Sequence, residues 1–111
     1  MFVPYKLVLS ERKPVILEVT VKNTSSEPKL MSVTVEVPYE LSLNSGGYVR
    51  RQEHRIGELK PGEQRKVTYN IFAKPTTLPG TYEITVTVLE HMDSYEYVAG
   101  ETKKTTRLTV V

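Results

Sequence analysis

A chain of 111 residues holds one domain, 1–111, and can bury roughly two-thirds of its unfolded surface in a core. It contains no cysteine, which excludes disulfides and thiolate metal sites. The net charge is +2 and 25% of residues are charged, with both signs spread along the chain, so bulk charge favours neither nucleic acid nor a membrane surface.

The N-terminal "MFVPYKLVLS" is interrupted by Pro4 and Lys6 and lacks a basic stretch ahead of its apolar residues, so it does not read as a secretory signal. That leaves two expectations: an intracellular protein, or a chain whose leader lies outside this sequence. No run approaches the ~20 apolar residues of a membrane helix. Tyr5, Leu7 and Leu9 alternate with Lys6, Val8 and Ser10 and predict a first strand. Val15, Leu17, Val19 and Val21 alternate with Ile16, Glu18, Thr20 and Lys22 and predict a second. After "NTSSEPK", Val33, Val35 and Val37 predict a third, closed by Pro38.

Residues 39–47 read as irregular, with Gly46-Gly47 as a turn, and a weaker Arg-rich strand runs from Tyr48 to Leu59. Lys60-Pro61-Gly62-Glu63 suits a type II turn: Pro61 presets φ at the second position and Gly62 supplies positive φ at the third. Val67, Tyr69 and Ile71 then alternate with Lys66, Thr68 and Asn70. Leu78-Pro79-Gly80-Thr81 repeats the turn chemistry, with Pro79 and Gly80 at its centre. Tyr82, Ile84, Val86 and Val88 alternate with Glu83, Thr85 and Thr87. A loop from His91 to Gly100 leads to a last strand with Thr106, Leu108 and Val110 on one face.

No useful window carries the i, i+3, i+4, i+7 apolar pattern of a helix, and Val and Thr dominate the periodic segments. The expected fold is all-β: an immunoglobulin-like antiparallel β-sandwich of about seven strands. Simple alternation of strands puts the loops at 23–29, 60–63 and 91–100 at one end, and those at 10–14, 38–47 and 74–80 at the other.

The ordered set "VILEVTVKNTSSE", "VTVEVP", "IGELKPGEQRKVTYNI" and "LPGTYEITVTV" resembles the immunoglobulin-like domains of the cell-adhesion-related (CARDB-type) class, over about Tyr5 to Val111. Bacterial α-galactosidase-associated and fibronectin type III-like modules share the pattern. The resemblance implies a non-catalytic module of archaeal and bacterial surface proteins, often repeated in tandem, used for adhesion or as a spacer. It implies an extracellular or cell-surface location. The Cys pair and strand-C Trp of antibody domains are absent. Tyr82 follows the Pro79-Gly80 corner and is placed like a tyrosine corner, its hydroxyl bonding upstream backbone.

Candidate chemistry is sparse. His54 and His91 read as exposed loop residues, and no His-rich metal spacing exists. Glu90, Asp93, Glu96 and Glu101 cluster by sequence around the last hairpin without the D-x-D-x-D spacing of a calcium loop. No G-x-S-x-G, P-loop or H-E-x-x-H occurs, so no catalytic residue, metal or cofactor is expected. Arg50, Arg51 and Arg55 near Tyr48 suit either an acidic or phosphate-bearing partner or the charge that blocks an edge strand from aggregating. Asn23-Thr24-Ser25 is both a glycosylation sequon and a strand-ending Asn.

Tyr95 and Tyr97 are the first candidates for loop-borne contacts, because exposed Tyr is favoured at interfaces; packing on their own sheet is the other reading. The expected function is thus a non-catalytic binding, adhesion or spacer module for a protein or cell-surface partner, acting through loops or a sheet edge that could also pair two copies. The other expectations are a ligand- or calcium-binding accessory domain of a larger enzyme, and an intracellular scaffold using the Arg50–Arg55 edge.

Overall fold

Nine strands form in chain order: β1 (Phe2–Val3), β2 (Lys6–Leu7), β3 (Val15–Lys22), β4 (Lys29–Glu36), β5 (Leu41–Ser42), β6 (Arg51–Leu59), β7 (Gln64–Ala73), β8 (Gly80–His91) and β9 (Val98–Val110). The computed structural model describes residues 1–111 and contains no α-helix. Burial follows the two-residue period of the sequence. On β3, Val15, Leu17 and Val21 are buried while Ile16, Thr20 and Lys22 are exposed; on β7, Val67, Tyr69 and Ile71 are buried while Lys66, Thr68 and Asn70 are exposed. Each strand therefore has one apolar face to bury, and two sheets do so against each other.

One sheet has the order β1-β3-β7-β5 and the other β2-β9-β8-β4-β6. Every pairing is antiparallel except β2 with β9, which is parallel. Eighteen buried hydrophobic residues form one core, with Leu17, Leu41, Ile71, Ile84 and Leu108 among the most enclosed. The fold is an all-β, immunoglobulin-like sandwich.

Several local expectations are corrected. The single strand expected over Tyr5–Ser10 is reduced to β2, and an unexpected strand, β1, forms ahead of it. β1 joins one sheet and β2 the other, Tyr5 is exposed, and Leu9–Glu11 is a 3-10 turn. Pro4 has no N–H to donate, so the ladder breaks there and the chain crosses between sheets. The segment read as irregular contains β5, held by Asn44. Its Oδ1 accepts hydrogen bonds from Ser42 Oγ at 2.7 Å, Val49 N at 3.1 Å and Tyr48 N at 3.2 Å. The Arg-rich strand starts at Arg51, not Tyr48, and the last hairpin is longer than expected, its loop confined to Met92–Tyr97.

The turn at Lys60–Glu63 forms as expected: Glu63 N donates to the Lys60 carbonyl at 2.9 Å and Gly62 has φ +79°. Leu78-Pro79-Gly80-Thr81 is different. Gly80 is already in β8, paired with Val110, and the reversal happens earlier, where Thr77 N donates to the Lys74 carbonyl at 3.0 Å. The Thr77 side chain decides this. Its Oγ1 accepts from Lys74 N and donates to the Glu40 carbonyl, tying the turn to the neighbouring loop. A turn-compatible dipeptide lost to a buried hydroxyl with two backbone partners.

Candidate interaction surfaces

The loops at 23–29, 60–63 and 92–97 share one end of the sandwich, because Lys29 pairs with Leu59 and Leu30 with His91. Asn23 knits the first two together. Its backbone N–H donates to Glu63 O at 3.0 Å and its carbonyl accepts from Gly62 N at 2.8 Å. Its side-chain nitrogen donates to Leu59 O and Glu27 O, both at 2.8 Å. The sequon nitrogen is therefore committed and buried, and the strand-ending role accounts for Asn23.

The hairpin loop is tightly tied. Met92 N donates to Tyr97 O at 2.9 Å, Ser94 N to Met92 O at 2.7 Å and Tyr97 N to Ser94 O at 3.2 Å. Asp93 takes a left-handed φ of 65°, which Asp tolerates better than most residues. Tyr95 then folds back over the sheet. Its ring meets His91 edge-on at 5.0 Å, and the Arg55 guanidinium lies over it at 4.7 Å. Beneath them His91 Nε2 and Ser32 Oγ share a hydrogen at 2.7 Å.

His91 is thus not the exposed loop residue expected from sequence. It is 7% exposed, at the end of β8, where the Tyr95 ring packs edge-on against it. His54 lies on β6 and is exposed. A Ser–His pair invites a catalytic reading, but Ser32 has no exposed surface. His91 Nδ1, where a catalytic pair needs an orienting acid, is buried without a partner. The stack Arg55–Tyr95–His91–Ser32 braces the hairpin against its own sheet. No three His, Asp or Glu side chains converge as metal ligands.

Bracing splits the two tyrosines. Tyr95 is half-buried, whereas Tyr97 is 63% exposed and sits beside Met92 at 60% and Val98 at 55%. Three large apolar side chains within seven residues stand in water on a fixed hairpin. Met92 and Val98 carried no signal in the sequence, since both look like ordinary strand or loop residues until the loop closes.

The six expected contact residues do not form one surface. Arg55 joins Tyr95 at the hairpin end. Tyr48 and Arg50 belong to the opposite end, where Val37 N bonds the Arg50 carbonyl and Arg50 lies 5.9 Å from the Tyr39 ring. Lys74 lies 4.3 Å from the same ring. Arg51 opens β6, paired with Glu36. Tyr82 donates its hydroxyl hydrogen to the Leu78 carbonyl, four residues upstream, at 2.6 Å. Inside the core, the Tyr69 hydroxyl is buried without a partner, and burial pushes its pKa up to about 12.

No protein-family profile and no curated protein matches this sequence. Among solved structures, SSP-19, an MSP-domain protein like family member in Caenorhabditis elegans, is similar over 98% of each chain, with a TM-score of 0.51 and 12% identity. At that identity the likeness establishes the shared immunoglobulin-like β-sandwich fold.

Proposed function

We propose that this domain is a non-catalytic protein-binding module that makes contact through its hairpin end. The observation that carries this reading is the exposed trio Met92, Tyr97 and Val98 on a loop braced by Arg55 and Tyr95. Met, Tyr and Arg are the side chains enriched at protein interfaces. Bracing lowers the conformational entropy lost on binding, so more of the contact energy appears as affinity. Membership of the CARDB-type class, with its adhesion or spacer role and cell-surface location, belongs to the same proposal. Labelling of the domain by a non-permeant reagent on intact cells supports that location; labelling only after lysis removes it.

The test of the contact surface is site-specific photo-crosslinking in the source cell. A photoreactive residue at Tyr97 should yield an adduct of discrete mass, and one at Glu83, on β8 away from the hairpin, should not. The double variant Met92→Ser, Tyr97→Ser should lose that adduct when the photoreactive group is moved to Val98, with its thermal midpoint unchanged. Equal crosslinking at positions 97 and 83, or none at either, would overturn the proposal.

A further inference from the structure

The two sheets of a sandwich leave two open sides, and here one of them is half unfilled. On that side β1 pairs β3 only at Leu17 and Ile16, and β2 pairs β9 only at Thr109 and Val110. Beyond those pairs no strand lies against β3 or β9, and a groove of about 450 Å³ opens between the sheets. Its floor is apolar, from Val19 and Val21 on β3, Val86 and Val88 on β8, and Met31 on β4.

The backbone along one wall is ready for another strand. Glu18 N donates to Met1 O at 2.7 Å, and the Met1 amino group donates to Glu18 O at 2.9 Å, so the polar groups of Glu18 face the β1 side. Those of Asn23 face β7, through its bonds with Glu63 and Gly62. Successive residues of a strand point their N–H and C=O to opposite sides. Both anchors therefore put the N–H and C=O of Thr20 and Lys22 on the free edge, in line with the seam that β1 already occupies.

The charge in the groove is specific. On β9, Leu108 and Val110 face the core, and the same phase brings Thr106, Lys104 and Thr102 to the groove. The Lys104 ammonium has no carboxylate within salt-bridge reach; the ion pairs of this chain are Arg55–Glu53, Lys66–Glu18, Lys103–Glu101 and Arg107–Glu83. Glu18, Lys22 and Glu90 also line the groove; Glu18 is paired with Lys66, Lys22 is on the exposed phase of β3, and Lys104 remains unpaired beside the apolar floor.

We propose that this groove accepts an extended peptide strand that continues the β1 seam along Thr20 and Lys22, with apolar side chains at every second position and a carboxylate among them facing Lys104. A free strand edge calls for a ladder of peptide groups, a floor with period two calls for alternating apolar side chains, and an unpaired ammonium on the inward phase of β9 calls for an acid. This surface is separate from the hairpin trio, so either reading can fail without the other.

The probe is a blocked decapeptide alternating threonine and valine, with glutamate replacing the central valine. Hydrogen exchange of the intact domain, followed by NMR, should show the Thr20 and Lys22 amides slowed by the peptide at least tenfold, with Val19 and Val21 unchanged. The variant Lys104→Glu should weaken binding at least tenfold, and a lysine-centred peptide should recover it. Lys104→Gln, which keeps the size and leaves the fold undisturbed, should give an intermediate loss. Unprotected Thr20 and Lys22 amides at millimolar peptide, or affinities indifferent to the charge swap, would overturn the proposal. So would a free protein that sediments as a dimer with both amides already protected, since a second copy would then be the occupant.

Discussion

The two open sides of the sandwich are built from similar strands and finished differently. On the β5/β6 side the chain crosses between the sheets at both ends. Residues 37–50 pass over one half and bury Leu41 and Leu43; the Lys60–Glu63 turn closes the other over Ile56 and Leu59. Arg65 adds a cross-sheet tie, donating from Nη1 to the Ile56 carbonyl at 3.0 Å. On the β1/β9 side the chain crosses once, between β1 and β2, and the other half is left with half-buried valines and Lys104. Strand pattern makes two sheets, and connections decide which sides are sealed.

The sharpest way to break that contrast is a matched pair of deletions. Leu59→Ala, on the sealed side and 0% exposed, should cost about 3 kcal/mol in urea denaturation, while Val88→Ala on the open side should cost under about 1 kcal/mol. Equal losses would mean that the two sides pack alike. Arg65→Met should cost about 1 kcal/mol by losing the tie to Ile56, and should speed hydrogen exchange in β6 but not in β9. If both strands respond together, the tie is not local to the sealed side.

Tyr82→Phe tests the filled half of the β1/β9 side and should cost about 0.5–1 kcal/mol through the lost bond to Leu78. The smallest effect at neutral pH is expected at Tyr69, which lies between the two sides on β7. Its hydroxyl has no partner, so Tyr69→Phe should leave stability unchanged or slightly raised. The sign in alkali is fixed by linkage: unfolded chains lose the phenolic proton near pH 10, while the folded state holds it to about 12. Wild-type stability should therefore fall through that window more steeply than that of Tyr69→Phe. Parallel pH profiles would place the hydroxyl in contact with water.

Much of the candidate surface was illegible before folding. Tyr95 and Tyr97 look equivalent in the sequence, two residues apart in a polar loop. The structure puts one under Arg55 and leaves the other in water, because the loop closes on Met92 and Tyr97 and drives the ring between them onto His91. Ser32 and His91 are 59 residues apart, and no local pattern announces that they meet. Lys104 reads as one more surface lysine until its phase on β9 is fixed by Leu108 and Val110.

From the residues themselves came the strand class, the alternating faces of β3 and β7, and the type II turn at Pro61-Gly62. Each depends on side-chain period or on the φ of a single residue, which are local quantities. Tertiary structure alone decided where the chain crosses between the sheets, that Thr77 and not Pro79-Gly80 makes the turn before β8, which tyrosine stays exposed, and which side of the sandwich is open. Those outcomes rest on partners distant in the chain, such as the Glu40 carbonyl for Thr77 and the Ile56 carbonyl for Arg65, and a partner that folding alone brings near leaves no trace in the local pattern.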